Sequence, residues 1–358
     1  MFLLLIKAAN NAGCIVLPLC GEKLMQRNVT IDILRLCGLL LIMLAHVNPP
    51  NIIFQIRTFD VPMMVFVSGV SYYLSKKANV DFFSYAYSRF KRLVLPVWIF
   101  LFFFFLMIFV LRPANFLDLL TIKNIVSTYM LSGFGYVWVI RVFLIIAILS
   151  PFYVFLTKKT NSYSIAVIVF FMLFLGFVLS LFPYAKYGKL VSHVFDDLLF
   201  PAISYGAVFI LGYNYLLFNS KQKIFSFLLF FIVFSIYITI NYFVLGVVNG
   251  PQAYKYPPTL YYIAYSIVVM LTLYHIVELF MSKRKIWPFI FNISSNTIWI
   301  YLWHIPVVEY FYRYNNQLNF LIKYITVVFI AISVALMQRY LVMRFFPDSK
   351  LMRVIFTG

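Results

Sequence analysis

The apolar residues of this 358-residue chain arrive in long unbroken runs, residues 93–111 and 224–248 among them. About 20 consecutive apolar residues in a helix are enough to cross a bilayer. Hydrophobic residues make up 64% of the chain and charged residues only 11%, against about 25% charged in an ordinary soluble domain. So few charges cannot clothe a globular surface in water. A soluble enzyme, a disordered chain and a disulfide scaffold are excluded together. Strands of an outer-membrane barrel alternate apolar and polar residues, and these runs do not. The fold class is therefore all-α, a polytopic transmembrane helical bundle.

The runs divide into ten expected spans, at 31–47, 56–75, 93–111, 136–157, 164–182, 199–218, 224–246, 259–280, 290–311 and 321–343. Lysine and arginine orient them. Eighteen lie in the N-terminal segment, at the C-terminal end and in every second connection between; eight, including Arg57 and Lys255, lie in the alternate connections. Cytoplasmic loops carry the excess of Lys and Arg, so both termini are expected in the cytoplasm. The formal net charge of +19 is thus an orientation signal rather than a nucleic-acid footprint, and no nucleic-acid partner is expected. Cys14, Cys20 and Cys37 have no metal-ligand or redox spacing.

The longest connection, around 112–135, is too short for a folded domain of its own, which needs roughly 40 residues. Any chemistry must therefore sit inside the bundle or at its mouths. The expected organisation is an N-terminal extension at 1–24, a transmembrane domain at 25–345 and a cytoplasmic tail at 346–358. Residues 1–24 lack the basic start and small-residue cleavage site of a signal peptide, and read either as an over-extended start or as an interfacial segment. No internal repeat is evident.

Ionisable residues inside a span are costly and mark functional sites by default. Arg35 and His46 are eleven residues apart in the first span, about three turns and about 16.5 Å of rise on one helix face. A fixed cation deep in a bundle suits a phosphate or carboxylate, and an imidazole can serve as a general base. The alternative is a surface pair of Asp32 with Arg35 and a hydrogen-bonded His46 at a span end. Arg89 and Arg92 read either as positive-inside anchors or as a phosphate clamp. Arg141, after Trp138, reads either as a snorkelling cation or as part of the outer half of a site. His304 precedes Pro306, which breaks helical hydrogen bonding and favours a cavity lining. His275 reads as a packing residue. His193 with Asp196 and Asp197 forms a polar outer loop without metal-ligand spacing, and no metal is expected.

Several stretches together resemble the acyltransferase family 3 membrane proteins of bacteria, a group that includes O-acetyltransferases of surface polysaccharides. They are Arg35 with His46; Phe59-Asp60-Val-Pro62, running on to Ser68-Gly69; Arg89-Phe-Lys-Arg92; Gly135-Tyr136-Val-Trp138; Tyr256-Pro257-Pro258; and Ser294-Ser295-Asn296, running on to Trp303-His304. The likeness runs from about 27 to 345. It implies an enzyme of the bacterial inner membrane that takes an acyl group, usually acetyl, from cytosolic acyl-CoA. The acceptor implied is a hydroxyl of a lipid-linked or cell-surface glycan, such as O-antigen. Arg35, Arg89 and Arg92 would bind acetyl-CoA, and His46 would act as base. Trp138, Arg141, His304 and Ser68 would support the acceptor side, with Arg141 steadying the oxyanion. Many members carry a periplasmic hydrolase-like domain, absent from this sequence, so a separate periplasmic transferase is a possible partner. Succinyl transfer, N-acyl transfer and export of a glycan or lipid intermediate are the alternatives.

Overall fold

The structure is a computed structural model, and it describes residues 28–75, 81–133, 136–281 and 288–357. The N-terminal extension, Gly135, and the basic residues Lys76, Lys77, Lys283, Arg284 and Lys285 lie outside the described residues. Ten main helices run α1 Val29–Ala45, α2 Asn51–Leu74, α3 Phe82–Leu111, α4 Trp138–Thr157 and α5 Ser162–Leu181, then α6 Lys189–Tyr215, α7 Ser220–Leu245, α8 Leu260–Met281, α9 Thr297–Tyr314 and α10 Phe320–Phe345. No strand occurs among the described residues. The bundle is all-α, as the apolar runs require.

Among the described residues, eight helices are long and apolar enough to cross a membrane, α2 to α8 and α10. The other two expected spans differ. Helix α1 has 17 residues, and the expected span 290–311 is split into a short helix, Pro288–Ser295, and α9. The break falls at Asn296, whose side chain donates to the Asn292 carbonyl and competes with regular helical bonding.

Side chains close orphan donors at half of the main helix starts. Asn28 accepts from the Ile31 amide, Asp81 from Ser84 and Asn161 from Ser164. Asn219 and Gln222 form a capping box at the start of α7. Within their most apolar stretches α2 and α6 are 61% and 56% buried, whereas α7 and α10 are 11% and 22% buried. The first pair therefore forms the centre of the bundle and the second its rim. The central crossing depends on two glycines. A Cβ at Gly69 would meet the Phe209 carbonyl, and one at Gly212 would meet the Phe66 carbonyl. Small residues let helix backbones approach this closely in a bilayer, where association relies on packing.

Two local features then set the site. Residues 249–259, between α7 and α8, and the first turns of α8 are fastened to the start of α2. The Gln252 amide donates to Gln55, and the Tyr262 and Tyr265 hydroxyls donate to the carbonyls of Thr58 and Ile56. At the opposite end of the bundle, the expected tail contains a helix, Lys350–Phe356, docked through Trp299 Nε1 on the Ile355 carbonyl and Gln338 on the Phe356 carbonyl. Trp303 in turn donates to Gln338, so both tryptophans of α9 hold it in place.

Candidate functional site

Two cavities lie end to end inside the bundle. The first, of about 590 Å³, is lined by Arg35, Ser68, Ser71, Arg89, Arg92, Ser150 and Tyr301, among others. The second, of about 200 Å³, is lined by His46, Arg57, Asp60, Trp138, Gln252, Lys255 and Tyr256, among others. Ile42 and Val139 line both, so the cavities adjoin at these two aliphatic side chains. The two cavities together follow the α1 face that carries Arg35 at one end and His46 at the other.

Three arginines from two helices converge on the first cavity. Arg35 bridges Asp32 at 3.0 Å and donates to Ser71 at 2.8 Å. Pairing with Asp32, read in the sequence as the alternative to a functional role, thus coexists with a place on the cavity wall. Arg89 and Arg92 sit two to three turns inside α3, which begins at Phe82. Arg89 lies over the Tyr85 ring, and neither arginine is bridged to a carboxylate among the described residues. Ser68 also faces this cavity, its hydroxyl turned back on the Val65 carbonyl. A cavity lined by three guanidinium groups is suited to a polyanion, since guanidinium forks match phosphate oxygens.

His46 ends α1 and faces the second cavity. Its Nδ1 lies 3.0 Å from Nε2 of His304 on α9. His304 is fully buried, and its Nδ1 contacts the Tyr301 carbonyl. This chain of contacts assigns the protons. A backbone carbonyl only accepts, so His304 Nδ1 carries hydrogen and its Nε2 is left as the acceptor. His46 Nδ1 must then donate to it, which leaves the His46 Nε2 lone pair free. An imidazole held in one tautomer by a buried partner is the arrangement a general base requires. The Tyr136 ring meets His46 edge-on at 4.8 Å, and its hydroxyl donates to Glu309 at 2.8 Å. His304 itself does not line either cavity. It backs His46, in place of the cavity-lining position that Pro306 suggested.

The remaining sequence candidates separate. Trp138 lines the second cavity, with its ring edge-on to Tyr256 at 5.3 Å. Arg141 lines neither cavity. It is bridged to Asp197 at 2.6 Å, and His193 contacts the other oxygen of that carboxylate at 3.1 Å. The polar outer loop is thus an ion pair network built around Arg141. No group of three or more His, Cys, Asp or Glu that could hold a metal occurs among the described residues. His275 takes a hydrogen bond with the Tyr215 hydroxyl at 2.9 Å, a packing role.

One feature of the second cavity escaped the sequence reading. Arg57 and Lys255, counted there as loop cations, are each 3% exposed. Both converge on Asp60, Arg57 at 2.6 Å and Lys255 at 3.4 Å. The clue available in sequence was the three-residue spacing of Arg57 and Asp60, one helical turn. Lys255 has no such signal, because it arrives from 195 residues away.

The family model described as an acyltransferase domain, that of acyltransferase family 3, matches residues 28–338. The chain belongs to this family. No curated protein and no solved structure matches it. Acyltransferase family membership and the helical bundle together make this a multi-pass membrane acyltransferase. The match takes in every element that lines the two cavities, so both belong to the acyltransferase domain.

Proposed function

We propose that this membrane acyltransferase moves an acetyl group from cytosolic acetyl-CoA to a hydroxyl of a lipid-linked or cell-surface glycan at a bacterial inner membrane. The observation that carries the reading is the alignment of an arginine-lined cavity with a tautomer-fixed histidine, along one face of α1. The distribution of lysine and arginine along the sequence puts the arginine end toward the cytoplasm, where acyl-CoA is found. Arg35, Arg89 and Arg92 bind the phosphates of the donor. Its thin pantetheine arm runs past Ile42 and Val139 and brings the thioester to His46.

His46 Nε2 then takes the proton of the acceptor hydroxyl, which is a weak nucleophile until a base removes it. The oxygen attacks the thioester carbonyl. A carbon–oxygen bond forms, the carbon–sulfur bond breaks, and the proton held by His46 passes to the departing thiolate. His304 keeps the His46 proton on Nδ1 throughout the approach, so it acts as a positioning residue. Trp138 and Tyr256 give the acceptor an aromatic wall. Arg141 is left outside the reaction, because Asp197 occupies it away from both cavities.

The test is mass spectrometry of surface glycans from cells with and without the gene, complemented by wild type or by His46→Ala. Loss of one acetyl mass per acylated unit, restored by wild type and not by the variant, is the expected result. Loss of whole glycan without change in its acylation would overturn the reading in favour of export.

A further inference from the structure

The second cavity holds an unbalanced buried charge. Arg57 and Lys255 share a single carboxylate, Asp60, and all three side chains are at most 4% exposed. Elsewhere the balance differs: Asp32 pairs with Arg35, Asp197 with Arg141, and Asp118 and Glu309 share Arg313. Asp60 is further occupied by the Val61 amide at 2.8 Å. Arg57 Nε is buried without a hydrogen-bond partner, and the Arg57 contact to Gln252 is long, at 3.5 Å. An uncompensated buried charge is costly, and an unsatisfied guanidinium nitrogen adds to that cost. Both side chains line the cavity, Arg57 over the Phe54 ring at 4.3 Å and Lys255 near the Trp138 and Tyr256 rings at 5.5 and 5.8 Å, contacts that do not replace a second carboxylate.

A purely structural triad would close on itself. Here one carboxylate serves two cations, and the deficit opens onto the same small space as His46. At about 200 Å³ that space is below the roughly 300–1,000 Å³ typical of drug-sized ligand sites, so it suits one ring or one small group. We infer that Arg57 and Lys255 form an anion subsite for the acyl acceptor, and that the sugar acylated here carries a carboxylate or a phosphate. The inference rests on the acyl-acceptor reading given above. It makes Arg57 and Lys255 determinants of specificity: a buried site built to pair a charge rejects the neutral analogue that leaves its cations unmatched.

Two measurements test it on the full chain. The first identifies, by fragment mass, which glycan residue gains the acyl group in cells carrying the gene. An acylated uronic acid or phosphosugar supports the subsite and tells carboxylate from phosphate; acylation of a neutral sugar overturns it while leaving acyl transfer intact. The second measures binding of methyl glucuronide, glucose 6-phosphate and methyl glucoside to the chain in nanodiscs. One anionic probe should bind about ten- to a hundredfold more tightly than the neutral one, the range of a charge-assisted contact. Lys255→Met should abolish that difference and Lys255→Arg should keep it. Equal behaviour of all three probes, or an unchanged preference in Lys255→Met, overturns the subsite. If no glycan is acylated but the charge preference holds, the acyltransfer reading fails and the anion site stands.

Discussion

At the scale of single residues, the site turns on which nitrogen of His46 carries a proton. The Tyr301 carbonyl fixes His304, and His304 fixes His46. His304→Ala should therefore lower kcat by about 10²-fold, toward the low end of what general-base catalysis contributes, with KM for acetyl-CoA unchanged. His304→Gln offers an amide oxygen to His46 Nδ1 and an amide NH₂ to the Tyr301 carbonyl, and should recover part of the loss. Steady-state kinetics on the purified chain decides it; a shared rise in KM, or no rescue by glutamine, would mean that His304 only packs. Arg35 and His46 were legible in sequence because one helix carries both, and helical rise places them without knowledge of the fold. The pairing of His46 with His304 was not, since 258 residues separate them. Arg57 and Lys255 were misread as loop cations for a related reason. Counting charges along a chain cannot distinguish a cation at a membrane surface from one buried against a distant carboxylate.

At the scale of elements, apolar run length located most of the helices, while their ends were set by polar capping residues and prolines. The sequence reading began the third span at residue 93, but α3 starts at Asp81 and Phe82. The first three turns of α3 mix Ser84, Ser88, Arg89, Lys91 and Arg92 with aromatic residues and, apart from the buried Tyr85, are largely exposed, so hydropathy alone places the helix start too late. Continuous apolar content predicts one helix for the ninth span, whereas the Asn296 side chain breaks it. The α2–α6 crossing makes a sharper claim. Gly69 faces the Phe209 carbonyl with no room for a side chain, and the obstacle is backbone rather than a flexible side chain. Gly69→Ala should destabilise the bundle by about 1–3 kcal/mol, as overpacked cores do. Thermal unfolding in detergent measures this, and an unchanged midpoint would mean that α2 and α6 do not cross there. Because α2 also carries Arg57, Asp60 and Ser68, the same variant should weaken transfer as well as stability.

At the scale of the whole molecule, two mouths of one bundle serve one reaction. The donor enters at the arginine end and the acceptor meets the acyl group at the histidine end, with Ile42 and Val139 between them. The two ends should then fail in different ways. Arg92→Ala should raise KM for acetyl-CoA by about tenfold or more, the cost of one charge-assisted phosphate contact, and leave kcat near wild type. His46→Ala should leave donor binding intact and remove turnover. The most direct measurement is transfer of label from acetyl-CoA, labelled in the acetyl group, into glycan by the full chain in nanodiscs supplied with membrane glycolipid. The account predicts labelled glycan from wild type, and none from His46→Ala although that variant still binds acetyl-CoA. Equal labelling by the two proteins would contradict it.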